Sequence, residues 1–254
     1  MQPAIFVVAS AYGYATVRHF GGQQPLLAIV AASGADGIEI RRELLDESEL
    51  EGLSRLQVKI ADNGLLAHYS APLPLFQPDG SLNPQLPSLF GEAQRLRARQ
   101  LKLALGHFSA RSLDDLEPLA RALNGQPFIL TIENDQTSVG GSLAVMNAFF
   151  HEIAARSLPV KHTFDMANWC WVEQPALEAA AALCHWVSYI HVKVATWHYN
   201  LWRATPPDEQ DASWKNLLRA LPRDVPRGIE YPLAGSNLAA VTRHHVELLR
   251  STSL

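Results

Sequence analysis

Glu133, Asp165, His191 and Glu230 each close a short apolar run: Phe128-Ile-Leu-Thr-Ile-Glu133, Val160-Lys-His-Thr-Phe-Asp165, Val187-Ser-Tyr-Ile-His191 and Arg227-Gly-Ile-Glu230. Three carboxylates and one imidazole brought together form an oxygen-rich donor set. It suits a divalent ion such as Mn²⁺, Mg²⁺ or Co²⁺ and leaves coordination positions for substrate oxygens. Zinc is the weaker fit, because structural zinc prefers closed sites rich in cysteine and histidine. The plain alternative is four unrelated polar residues where strands give way to loops. The spacings of 32, 26 and 39 residues are each long enough for a loop, a helix and the next strand. In a parallel barrel the ends of successive strands converge on one mouth.

The elements that must position these residues alternate along the chain. Strand-like runs lie at 4–10, 37–40, 65–69, 101–105, 128–133, 160–165, 187–193 and 227–230. Between them stand an apolar segment at 24–33 and helix-period segments at 46–58, 88–100, 113–123, 142–156, 175–185, 213–220 and 236–250. Such alternation implies a parallel sheet. Eight βα units in 254 residues match a closed (β/α)8 TIM barrel, a single α/β domain over 1–254, with a doubly wound open sheet as the alternative. The stretch 71–87 is dense in proline, which blocks regular structure, yet it is too apolar for a linker; it reads as an ordered loop over a site, with a plain surface excursion as an equal alternative.

Composition narrows the partners. Hydrophobic residues make up 48% and charged residues 18%, enough for a large core. The net charge of −4 lacks the basic footprint of a nucleic-acid binder. Cys170 and Cys184 belong to no CxxC pair and read as free thiols. The apolar run Ala4-Ile-Phe-Val-Val-Ala-Ser10 has no preceding Lys or Arg and is too short to span a bilayer, so it reads as a first strand. A cytoplasmic protein without a membrane partner is expected, and assembly into a homo-oligomer is compatible with the chain.

Glu, Asp, His and Glu at the ends of the fifth to eighth strands resemble the xylose-isomerase-like superfamily of sugar and sugar-phosphate isomerases and epimerases, which are TIM barrels. Gly37-Ile-Glu39 and His191-Val-Lys193 resemble further signatures of that group. Glu133-Asn-Asp-Gln-Thr137, Thr163-Phe-Asp-Met-Ala-Asn-Trp169, Trp171-Val-Glu-Gln174 and Glu230-Tyr-Pro-Leu233 are similar to the epimerases encoded with 2-ketogluconate utilisation genes. The resemblance implies a metal-dependent proton transfer through an enediolate of a ketose, sugar acid or sugar phosphate. It implies Glu133 and Glu230 as ligands that also move protons, and Asp165 and His191 as ligands alone. Two positions depart from the pattern: Asn168 stands where many members carry His, and Trp197 where many carry Arg. Asn168 can still hydrogen-bond a sugar hydroxyl.

The remaining candidates surround this set. His68 and His107 end the third and fourth strands and read as substrate contacts, with hydrogen-bonded barrel histidines as the plain alternative. Trp169, Trp171, Trp197 and Trp202 follow the sixth and seventh strands, as sugar platforms or as packing. Lys193 reads as a substrate contact or as the partner of Glu39 or a neighbouring acid. Arg41 and Arg42 could reach an anionic group or face solvent, and Gly235-Ser-Asn237 reads as a helix cap. Three other functions remain open. An inosose-type dehydratase would use similar ligands to expel water. An endonuclease IV-like phosphodiesterase would need extra zinc at His68 and His107. A metal- or sugar-binding protein would not turn over.

Overall fold

In Gln100-Leu-Lys-Leu-Ala-Leu-Gly106 every second residue is leucine, and a period of two sends alternate side chains to opposite faces of a strand. Leu101, Leu103 and Leu105 enter the apolar core, while Lys102 points to Glu133 on the next strand. The same logic repeats around the molecule. The computed structural model describes residues 2–252. Its strands are β1 (Ile5–Val8), β2 (Gly37–Arg41), β3 (Leu66–Phe76), β4 (Gln100–Gly106), β5 (Ile129–Glu133), β6 (Val160–Asp165), β7 (Val187–Val192), β8 (Val194–His198), β9 (Leu201–Thr205) and β10 (Arg227–Ile229). Eight of them close a parallel barrel in the order β1-β10-β7-β6-β5-β4-β3-β2. The fold is therefore the (β/α)8 barrel expected from the alternation, not an open sheet.

The helices are α1 (Tyr14–His19), α2 (Leu26–Ala32), α3 (Glu47–Glu51), α4 (Leu53–Asp62), α5 (Leu86–Arg95), α6 (Leu116–Leu123), α7 (Leu143–Ala155), α8 (Ala176–Leu183), α9 (Ala212–Arg219) and α10 (Leu238–Ser251). Their buried positions follow the helical period: Leu53, Leu56 and Ile60 on α4, and Leu116, Leu119 and Leu123 on α6. Among the described residues, no helix is long and apolar enough to cross a membrane.

Three local differences from the sequence reading have physical causes. The expected helix 46–58 is two helices, broken at Gly52; α3 opens with a capping box between Asp46 and Glu49. The proline-rich stretch begins as strand, because β3 runs on to Phe76 and pairs with β4 through Pro74↔Ala104 and Phe76↔Gly106. Its pairing with β2 ends at Arg41↔Ser70, so beyond Ser70 it is an edge strand, where a missing proline N–H is tolerated. The segment after β7 is no irregular loop but the antiparallel hairpin β8–β9. Its two-residue turn, Tyr199 and Asn200, has φ of 48° and 60°. That left-handed pair matches the twist of the strands, but without glycine it gives no hairpin signal in the sequence.

The barrel interior sets the floor of the site. Gly228 on β10 lies opposite His191 on β7. A Cβ there would collide with the Tyr189 hydroxyl and approach His191 Cδ2 to 3.0 Å, so glycine makes room for the imidazole.

Candidate metal centre

The ends of β5, β6, β7 and β10 bring Glu133, Asp165, His191 and Glu230 together, with one ligand atom from each within 4.8 Å of the others. His191 Nδ1 lies 2.8 Å from Glu133 Oε1, 3.1 Å from Glu230 Oε2 and 3.9 Å from Asp165 Oδ2. Donor atoms this close together could share one divalent ion. Asp165 and His191 are fully buried, whereas the Glu133 and Glu230 side chains are 14% and 12% exposed.

Asp165 is held by its surroundings. Asn134 accepts from its N–H at 2.8 Å and donates to its carbonyl at 3.0 Å. Asp165 Oδ1 accepts from the N–H groups of Ala167 and Asn168, both at 2.9 Å, which turns the chain out of β6. Oδ2 is left pointing into the cluster and accepts no well-angled hydrogen bond, although Lys193 Nζ contacts it at 2.6 Å. A buried oxygen so placed fits a metal ligand. Burial pushes the Asp165 carboxyl up to about 7, against the pull of Lys193.

Three cations thread among the carboxylates. Lys193 Nζ bridges Asp165 Oδ2 and Glu230 Oε2 at 2.6 and 2.8 Å. Lys102 Nζ meets Glu133 Oε2 at 2.5 Å, and Arg41 reaches Glu230 Oε1 at 2.9 Å. Burial would raise the Glu133 carboxyl, but Lys102 and His191 outweigh it and hold it down near 2. Burial would likewise depress the His191 imidazolium, yet Glu230 and Glu39 carry its pKa well above the ordinary histidine value. Without an ion the imidazole is thus the fourth cation. A bound ion would take the place of the Nδ1 proton and compete with Lys193 for Asp165 Oδ2 and Glu230 Oε2; three carboxylates and an imidazole are a donor set that fits a divalent ion.

Glu39 on β2 fixes which imidazole nitrogen faces the cluster. Its Oε2 lies 2.8 Å from His191 Nε2. A carboxylate on Nε2–H leaves the Nδ1 lone pair for the ion, the usual arrangement behind a metal-bound histidine. Glu39→Gln keeps an acceptor and loses the charge, so Mn²⁺ affinity measured by titration falls about tenfold, the lower end of such effects. The metal-free variant also differs in acid. Burial would raise the Glu39 carboxyl, but His191, Lys102 and Arg41 lower it to about 2. Between pH 2 and its ordinary value near 4.5, the unfolded chain binds a proton that the folded chain does not. The stabilisation is complete above that window and fades as pH falls through it. Glu39→Gln removes this contribution, and its stability curve is flatter over that range in chemical denaturation.

The other expected contacts lie at different depths. Lys193 stands inside the cluster, and it meets Asp165 and Glu230 rather than Glu39. Asn168 is buried beside it; its Nδ2 donates to the Asn134 carbonyl at 2.9 Å and its Oδ1 accepts from Gln136 at 3.1 Å, tying two mouth loops together. His68 lies within the barrel, stacked on Phe6 at 3.8 Å and edge-on to Tyr189, and burial pushes its imidazole down to about 3. His107 is exposed beyond β4. Neither histidine belongs to the four-residue cluster, and among the described residues no second group of potential ligands includes them. Trp169 is fully buried against Phe164, a core side chain rather than a platform. Trp197 is 58% exposed on β8 and packs edge-on against Trp202.

Arg41 turns into the cluster, whereas Arg42 turns away to Glu92. Asn237 caps α10 by accepting from the Ala240 N–H. Lys102, Asn134 and the Glu39–His191 pairing were not anticipated. A lysine on the barrel-facing register of an otherwise leucine-lined strand was the available signal for Lys102.

No protein-family model matches the chain, and no curated protein sequence matches it. Solved structures do. A D-allulose 3-epimerase from Methylomonas sp., crystallised with D-allulose, superposes with a TM-score of 0.69 at 15% identity, covering 99% of this chain and 98% of the other. The D-psicose 3-epimerase of Clostridium cellulolyticum H10, with D-tagatose, gives a TM-score of 0.70 at 12% identity and 98% coverage of both chains. A xylose isomerase domain-containing protein from Salmonella typhimurium LT2 gives 0.71 at 13% identity, covering 97% and 96%. At such identities the likeness establishes the fold: one barrel shared over nearly its full length.

Proposed function

We propose that this chain is a divalent-metal-dependent isomerase or epimerase acting on a ketose, sugar acid or sugar phosphate. The observation that carries the reading is the meeting of Glu133, Asp165, His191 and Glu230 at one barrel mouth. Proteins of the same fold are 3-epimerases of D-allulose, also called D-psicose, crystallised with D-allulose or D-tagatose, which supports a polyhydroxy carbonyl substrate. The resemblance of Glu133-Asn-Asp-Gln-Thr137 and its companion strings to 2-ketogluconate-linked epimerases favours a sugar acid.

A bound divalent ion would supply Lewis-acid stabilisation of the oxyanion that forms when a proton leaves the carbon beside a carbonyl. The chain's own residues do the rest. Asp165 and His191, fully buried, hold position, with His191 oriented by Glu39. Glu133 and Glu230 flank the imidazole and keep some exposure, so each reaches the space above the cluster. One removes the carbon-bound proton and the other returns one. A cavity of about 280 Å³ opens beside Glu230 between Tyr12, Tyr231 and Ala204 of β9. That is close to the lower bound of roughly 300 Å³ for small-ligand pockets. A larger cavity, about 390 Å³, lies between Tyr14 and Glu49 and contains none of the four residues; the chemistry favours the smaller one.

The test is proton exchange. The metal-loaded protein is incubated in D₂O with 2-ketogluconate, its 6-phosphate and a panel of ketoses, and the ion is chelated before NMR. The expected result is loss of the proton signal beside the carbonyl for at least one sugar. Absence of exchange with every sugar, in protein shown to hold its metal, rejects proton transfer. A product lacking one water identifies a dehydratase instead.

A further inference from the structure

Tyr189 stands two residues before His191 on β7, a spacing that sends both side chains to the same face of the strand. Both are fully buried. The phenol ring lies edge-on to His191 with centroids 4.9 Å apart, edge-on to His68 at 4.6 Å and edge-on to Phe6 at 6.0 Å. These three rings fix where the hydroxyl goes. Gly228 marks the spot: a Cβ there would stand 2.3 Å from Tyr189 Oη and 3.0 Å from His191 Cδ2. The hydroxyl therefore lies beside the ring carbon bonded to Nε2, the nitrogen that meets Glu39.

The polar atoms around that point are unequally served. Glu39 Oε2 lies 2.8 Å from His191 Nε2. Glu39 Oε1 has Arg41 Nη1 at 3.5 Å and accepts no well-angled hydrogen bond. The Tyr189 hydroxyl and His68 Nδ1 are buried without one as well. A buried polar atom left so is costly, and a phenol O–H and a carboxylate oxygen are complementary. Burial first, then Glu39, raise the pKa of the Tyr189 hydroxyl well above its ordinary value, so the phenol is a donor within range of that carboxylate. The need for a donor grows when an ion takes the place of the Nδ1 proton. His191 is then neutral, and Glu39 loses one of the cations that hold its carboxyl down.

We propose that Tyr189 is a positioning residue: its hydroxyl donates to Glu39 Oε1 and so keeps Oε2 on His191 Nε2, with Nδ1 turned to the ion. The last torsion of a glutamate is broad, which lets one carboxylate face both neighbours. His68 Nδ1 is the competing acceptor, but an ionised carboxylate accepts more strongly than a neutral imidazole. The inference rests on the metal-dependent reading above for its purpose, and it concerns the placing of a ligand rather than the choice of substrate.

Tyr189→Phe tests it by removing the hydroxyl and keeping the ring. In metal-free protein, loss of a hydroxyl that has no partner costs nothing or stabilises. Loss of one that serves a carboxylate leaves Glu39 Oε1 unpaired, and Tm is expected to fall by roughly 5 °C. In metal-free protein labelled with ¹⁵N-histidine, the His191 Nε2 proton is identified by its shift in Glu39→Gln. In Tyr189→Phe it is expected to move upfield as its acceptor loosens. In Mn²⁺ titrations Tyr189→Phe is expected to bind about threefold to tenfold more weakly than wild type. The double variant Tyr189→Phe/Glu39→Gln is expected to lose less than the product of the two single losses, because both act on one hydrogen bond. A Tm equal to or above that of wild type overturns the bond. A lower Tm with either the His191 proton or the Mn²⁺ affinity unchanged gives the hydroxyl to His68 and overturns the positioning role. A double variant that loses the full product overturns the route through Glu39. If wild type takes up no Mn²⁺, the metal reading falls, while the two metal-free measurements still decide whether Tyr189 holds Glu39 on His191.

Discussion

Asp165→Asn yields a folded protein that has lost its metal. An asparagine Oδ1 can still accept from the N–H groups of Ala167 and Asn168, as Asp165 Oδ1 does, so the turn out of β6 survives. The amide nitrogen takes the other position and presents hydrogens where Oδ2 faced His191 and Lys193. An anionic ligand becomes a neutral donor, and Lys193 loses one of its two partners. Mn²⁺ affinity is expected to fall by more than about 100-fold, beyond the 10–100-fold effect of removing an outer partner of a ligand. Proton exchange into substrate falls to background. Metal analysis after dialysis and near-ultraviolet circular dichroism check the two halves of the expectation. Equal metal content in wild type and variant rejects this ligand set.

Trp169→Ala has its main effect on folding. The indole is fully buried and packs against Phe164 in the core. Truncating a buried tryptophan costs about 3–5 kcal/mol, a large part of the 5–15 kcal/mol by which a typical domain is stable. In a chain of this size, each kcal/mol lowers Tm by roughly 2–4 °C, so a fall on the order of 10 °C is expected in thermal unfolding. Trp169→Phe keeps much of the packing and falls far less. Had Trp169 been a wet sugar platform, the alanine variant would keep its Tm and lose sugar affinity. The two measurements separate the roles.

The contrast between these residues shows what the sequence could convey. Asp165 was legible because its type and position, an acid closing an apolar run, carry chemistry whatever the neighbours. The barrel was legible for a related reason, since eight alternations of period two with helical period leave few architectures. Trp169 was not legible, because nothing in a loop sequence tells whether an indole turns inward or outward. Lys102 was missed in another way. Its strand looks like any apolar run, and only the inward register of one lysine among leucines marks it. The sequence offers Lys193 as the partner of Glu39, whereas the structure gives it His191. The contact with His191 spans the barrel, and only closure of the ring brings β2 opposite β7. The hairpin β8–β9 escaped because its turn uses Tyr199 and Asn200 in place of glycine.

Closure of the ring also determines where the chain can stick to copies of itself. A closed barrel has no open edge, so backbone groups free to template another strand occur only where strands outrun the ring. One such place is β3 beyond Ser70, where Pro72 and Pro74 have no N–H to offer an incoming strand and Asn83 donates to the Pro74 and Leu75 carbonyls. The other is the hairpin, a two-stranded sheet on its own. Its strands contain no proline, and Trp197, Tyr199 and Leu201 are 58%, 84% and 59% exposed around its turn. The barrel guards its own edges, and the unguarded strand backbone lies in the twelve residues 194–205.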